Sequence, residues 1–226
     1  MSNVTELDPA LQVDVAPGFN DRHSLAIRIW HWTFFVVLTS TLVTVLFAST
    51  LFKTQGNIGM VQEQLQGKGV VVNKTQARAV AHDFSDKLWN LHKWIGFVLC
   101  ALLLSRAIIE LAEPAEDKFL VRLKRALGGK IVTADSKLVR RHYIQVKTTY
   151  LAFYFLILLM ALTGLGLAFE DVPVFRNIRG LLTQVHVVVQ YFIYAFILIH
   201  LTGVIRADTG KYGGIISGMI HGKGRP

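Results

Sequence analysis

The chain has 226 residues, 52% apolar and 17% charged, with a formal net charge of +9 and a single cysteine. A charged share below the ~25% usual for soluble domains excludes an ordinary water-soluble globule, and one cysteine excludes a disulfide framework or a thiolate-held iron–sulfur cluster. The basic surplus falls in the connections between long apolar runs, which makes anionic lipid headgroups the expected neighbours and sets nucleic acid aside.

In chain order, the first 28 residues carry Glu6, Asp8, Asp14 and Asp21 with no early basic run or apolar core, so they read as a short polar arm and not as a signal peptide. An uncharged run over 29–52 follows, and Ser24 as a helix cap extends the predicted first span to 25–52. The connection 53–88 is long for a bare loop. Within it Ala77, Val80, Ala81, Phe84 and Leu88 are spaced as one face of a helix leading into the next span, a surface fit to dock a partner or to cap the bundle. The second span is predicted over 88–111, although only 94–105 is uncharged. Lys93 can snorkel to headgroups, whereas Arg106 needs an anionic partner inside the bundle. Cys100, at mid-span without a mate, is a packing residue.

Beyond it, "EPAEDKFLVRLKRALGG" offers Pro114 for a first helical turn, spaces Phe119, Leu120, Leu123 and Leu127 on one face, and stops at Gly128 and Gly129. This predicts a basic amphipathic helix lying on the inner leaflet. Spans three and four are predicted over 146–169 and 180–206. The expected fold is all-α: one membrane domain over 1–226, an integral four-helix bundle with amphipathic surface helices in its connections. With both termini on one side, that side holds 15 Lys and Arg and the opposite side 8, so the positive-inside bias puts both termini in the cytoplasm.

The fourth apolar run, "TQVHVVVQYFIYAFILIHLTG", holds His186 and His200, and an imidazole in hydrocarbon needs a hydrogen-bond partner or a metal. Fourteen steps of about 100° fall within roughly 40° of four full turns, so both rings share one helix face about 21 Å apart along the axis. By depth, His31 in "RIWHWTF" matches His200 on the cytoplasmic side, and His92 in "NLHKWIG" matches His186 on the outer side. Two facing imidazoles are what a six-coordinate haem iron requires, and the arrangement occurs twice. A lone histidine in a span is more commonly a hydrogen-bonded packing residue or a proton relay; four at matched depths favour ligation. A closed zinc site wants four ligands, and each cluster offers two. The absence of a CxxCH motif means that any haem is held noncovalently.

His23, His82, His142 and His221 fall outside the spans as surface residues, with His142 able to replace either inner ligand. Arg106 follows His92 by fourteen positions, so a haem propionate would neutralise it, or it reaches the inner headgroups; Arg28 and Lys93 are similar candidates. Gly96, Gly164, Gly166 and Gly203 leave room either for a flat macrocycle or for helix packing.

"RIWHWTF", "NLHKWIGFVLCALLLSR" and "VHVVVQYFIYAFILIH" resemble the first, second and fourth helices of the prokaryotic di-haem cytochrome b family, which includes the cytochrome subunit of membrane-bound nickel-iron hydrogenases, and the resemblance extends over roughly residues 22–208. It implies two haem b groups, one held by His31 with His200 and the other by His92 with His186, matching the depth pairing. It also implies electron transfer between a membrane quinone and a peripheral redox subunit at the surface. A stand-alone quinone-dependent oxidoreductase, for example one oxidising superoxide, and a haem-free membrane anchor are the alternatives. The long connection 53–88 departs from compact stand-alone members.

Overall fold

A computed structural model describes residues 25–112, 118–128, 134–209 and 215–222. These form α1 (Leu25–Ser49), α2 (Thr54–Gln66), α3 (Lys74–Ala112), α4 (Phe119–Gly128), α5 (Ala134–Ala168), α6 (Pro173–Thr209) and α7 (Ile215–His221). No strand occurs among the described residues, and four helices are long and apolar enough to cross a membrane: Leu25–Ser49, Lys74–Ala112, Ile144–Ala168 and Pro173–Arg206. The fold is the expected all-α membrane bundle, with the amphipathic α4 in one connection. Ser24, Pro114 and Gly129 lie outside the described residues.

The helices overrun the apolar windows: α5 starts twelve residues before the predicted span and α6 seven before its own. A charged residue at an interface interrupts hydropathy but not the i to i−4 hydrogen-bond ladder, so the helix continues into the headgroup region. Pro173 opens α6, where its missing N–H costs nothing. Large apolar side chains such as Phe35, Leu104, Phe155, Leu162 and Leu198 remain exposed, a surface suited to lipid and not to water.

The residues divide into two compact units by their internal packing. The first comprises Ile29–Ser105 and Met160–Val187. Its core includes Phe34, Leu38, Ala48, Ile58, Ala77, Ala81 and Leu99. The Trp30 indole stacks on Phe34 and its Nε1–H donates to the Leu102 carbonyl at 2.9 Å, tying α1 to α3 by a satisfied polar tip. Helix α2, which periodicity did not predict, is held by tertiary contacts. Arg78 donates to Gln55 Oε1 at 3.1 Å, and Gln62 donates to the Val72 carbonyl at 3.2 Å. Its end is a Schellman turn: Gly69, at φ +79°, donates to the Gln66 carbonyl, and Val70 donates to the Leu65 carbonyl. Four residues later Asn73 and Gln76 each accept the other's backbone N–H at 2.9 Å, a reciprocal capping box that starts α3.

The second unit draws its described residues from Met1–Arg28, Arg106–Leu159 and Val188–Pro226, with Ile157, Val189 and Ile193 at its core. Arg28 donates to the Ile220 carbonyl at 3.1 Å, which ties the start of α1 to α7. Asp208 accepts the Ile216 N–H at 3.1 Å, satisfying one orphan donor of α7. Glu110 does the same for α4 by accepting the Phe119 N–H, and Lys147 lies over the Phe119 ring.

Candidate functional site

The first unit brings His92 of α3 and His186 of α6 together edge-on, with ring centroids 6.5 Å apart and planes crossing at 82°. Two imidazoles that bind one metal ion from opposite sides, each at a metal–nitrogen distance of about 2 Å, stand with ring centres roughly 6.3 Å apart. The spacing therefore matches a bis-imidazole metal site. Among the described residues no group of three His, Cys, Asp or Glu side chains forms a metal cage, so a metal held here takes its remaining ligands from another source.

Each of these rings is backed by a buried threonine. Thr44 Oγ1 lies 2.9 Å from His92 Nδ1, and Thr163 Oγ1 lies 2.9 Å from His186 Nδ1. Both hydroxyls are within hydrogen-bond distance of a carbonyl one turn back: Thr44 donates to the Thr41 carbonyl at 2.6 Å and Thr163 to the Met160 carbonyl at 3.1 Å. Thr44 and Thr163 are 5% exposed, so neither hydroxyl has water as a substitute partner. Sequence reading passed over both threonines. The available signal was a hydroxyl buried in an apolar span, which needs a partner beyond its own helix's carbonyl only when another polar group faces it.

The glycines divide by neighbour. A Cβ on Gly164 would come within 3.2 Å of His186 Cε1, so the absence of a side chain there makes room for the ring. Gly166 serves helix packing, since a Cβ would meet Leu182 Cδ1 at 2.7 Å. Gly96, one turn beyond His92, and Gly203, within one turn of His200, would place a Cβ against nothing within 4 Å.

The other histidines sit in different surroundings. His31 is half-buried in the first unit, edge-on to Trp32 with centroids 5.6 Å apart. His200 belongs to the second unit, where its ring stacks on Phe196 at 5.8 Å and 8°, and Phe196 stacks on Phe153 at 4.2 Å. His82 is exposed and pairs with Asp86, and His221 is exposed. His23 and the side chain of His142 lie outside the described residues. Cys100 is free and half-buried among apolar residues.

Arg106 finds an anionic partner that lies in plain view in the sequence. Its Nη2 donates to Glu110 Oε2 at 3.0 Å, an i,i+4 pair with both side chains largely shielded. Tyr154 is a second polar neighbour. Arg106 Nη1 and Arg28 Nε are buried donors that no described residue accepts from.

The chain belongs to the prokaryotic cytochrome b561 family, whose model matches residues 22–222. No curated protein and no solved structure matches it. Family membership makes the chain a bacterial membrane b-type cytochrome that works in electron transfer and carries haem b. The residues of the first unit fit that group: two imidazoles 6.5 Å apart and a glycine that accommodates one of them.

Gly164 supplies a first test. In Gly164→Val the branched side chain drives into the His186 ring, which cannot move without losing Thr163, so the haem-to-protein ratio should fall clearly below wild type. Gly164→Ala needs a shift of only a few tenths of an ångström and should cost about 1 kcal/mol of stability with most haem retained.

Proposed function

We propose that the chain holds two haems b, one between His92 and His186 and the other between His31 and His200, and that it carries electrons across the membrane between a surface redox partner and the quinone pool. The observation that carries this reading is the 6.5 Å separation of the His92 and His186 rings, each backed on Nδ1 by a buried threonine. The second pair rests on the fourteen-residue interval and on the same depth argument. When bound, haem iron supplies a one-electron couple in a low-dielectric setting.

The chain's own residues do the rest. The histidines would offer ring nitrogens to the iron, the apolar helices exclude water, and Arg106 and Arg28 carry buried N–H groups suited to propionate oxygens. Phe196, stacked on His200, also lines a surface groove of about 420 Å³ with Ile144, Gln145, Thr148, Thr149 and Ala152. An apolar wall with a few amide and hydroxyl groups suits contact with an apolar ring. The basic residue count supports both termini on the cytoplasmic side, with the His31 and His200 pair nearest that surface.

The stoichiometry tests this reading directly. A pyridine haemochrome assay on the purified protein should give two b-type haems per chain, fully extractable by acid acetone. One haem per chain would remove the second pair from the proposal, and none would remove both.

A further inference from the structure

We propose that Thr44 and Thr163 are positioning residues that set the tautomer and ring orientation of the two histidines they face, and so fix which nitrogen each histidine offers to iron. The inference rests on the ligation of haem by His92 and His186 proposed above.

Counting protons decides the tautomer. A threonine hydroxyl has one proton and two lone pairs, and a backbone carbonyl can only accept. With the Thr44 proton directed to the Thr41 carbonyl at 2.6 Å, the oxygen has only lone pairs left for His92 Nδ1 at 2.9 Å. His92 must then carry its proton on Nδ1 and donate it. The same count holds at the second site, where Thr163 donates to the Met160 carbonyl at 3.1 Å and accepts from His186 Nδ1 at 2.9 Å. In a neutral imidazole with Nδ1 protonated, Nε2 keeps its lone pair, so both histidines present Nε2 as the metal-binding nitrogen.

The device is the same on both sides of the gap although the threonines come from different helices, α1 and α5, and lie 48 and 23 residues from their histidines. It also couples ring angle to backbone: each hydroxyl is tethered to its own helix, so the imidazole it holds cannot rotate freely about its Cβ–Cγ bond. An accepted Nδ1–H makes the imidazole a stronger donor through Nε2, which favours the oxidised iron. Removing the acceptor should therefore raise the potential of the haem between His92 and His186 and leave the other haem unchanged.

The test uses Thr44→Val, Thr163→Val and the corresponding serine variants in the full-length, haem-loaded protein, with His92→Ala as a reference. Each valine variant is expected to shift the potential of one haem upward, by about tenfold in its oxidised-to-reduced equilibrium or roughly 59 mV for one electron, and to move that haem's low-spin ferric EPR signal. Serine keeps the hydroxyl and should restore both readouts towards wild type. If a valine variant does not accumulate in the membrane, the matching alanine variant, which adds no bulk, gives the same comparison with serine. Potentials and EPR signals unchanged in the valine or alanine variants would overturn the inference, as would equal shifts in valine and serine. A His92→Ala protein that keeps both haems would overturn the ligation reading itself and the inference with it, which distinguishes that failure from one confined to the threonines.

Discussion

His92→Ala and His186→Ala are each expected to remove one haem, and the same one, leaving identical residual spectra. Their rings stand 6.5 Å apart, so an iron that both would hold would lose one of its nitrogen ligands whichever side is truncated. His31→Ala and His200→Ala should give the complementary residual spectrum if they share the other haem. The truncation also opens a void and leaves the Thr44 or Thr163 oxygen with only its bond to the carbonyl one turn back, a cost of about 2–4 kcal/mol, so membrane insertion must be checked by yield before the spectra are compared. The comparison to make is the reduced-minus-oxidised difference spectrum with a redox titration of each variant. Loss of different haems from His92→Ala and His186→Ala would separate the pair.

Arg106→Leu should produce the second large effect, in two readouts that part company. Glu110 accepts from both Arg106 and the Phe119 backbone, so removing the guanidinium leaves a shielded carboxylate with its charge uncompensated, at a cost of about 2 kcal/mol. The double variant Arg106→Leu with Glu110→Gln keeps an acceptor for the Phe119 N–H without the charge, and most of the lost stability should return. Potential behaves otherwise. A guanidinium beside a haem disfavours the extra positive charge of the ferric state, so its loss should lower the potential of the haem it serves in the single variant, while Glu110→Gln removes a negative charge 3.0 Å away and offsets part of that shift in the double. Thermal unfolding in detergent measures the first quantity and a redox titration the second. A single variant that loses stability without any shift in potential would confine Arg106 to its pair with Glu110.

That pair shows how unevenly sequence yields such information. The i,i+4 spacing of Arg106 and Glu110 was available by counting, yet attention to a bound propionate passed over the carboxylate four residues on. The reverse holds for α2, whose polar composition carries little helical periodicity and whose place depends on Gln55 and Gln62 meeting Arg78 and the Val72 carbonyl beyond the helix. The capping box of Asn73 and Gln76 was legible as N-x-x-Q and marks the start of α3 within its own four residues.

What the sequence determined by itself are the properties that depend on near neighbours: four apolar helices of membrane length, the amphipathic face of α4, and histidines in hydrocarbon at fourteen-residue spacing. Hydrocarbon thickness and the helical repeat act on contiguous residues, so a linear reading recovers them. Only the tertiary structure decided which hydroxyl faces which imidazole, that Gly164 yields to His186 while Gly166 yields to Leu182, and that the His92 and His186 rings stand 6.5 Å apart. Those facts turn on the rotation and close approach of helices distant in sequence. Side-chain packing sets both, and one residue's change of register would turn each ring by about 100° away from its partner.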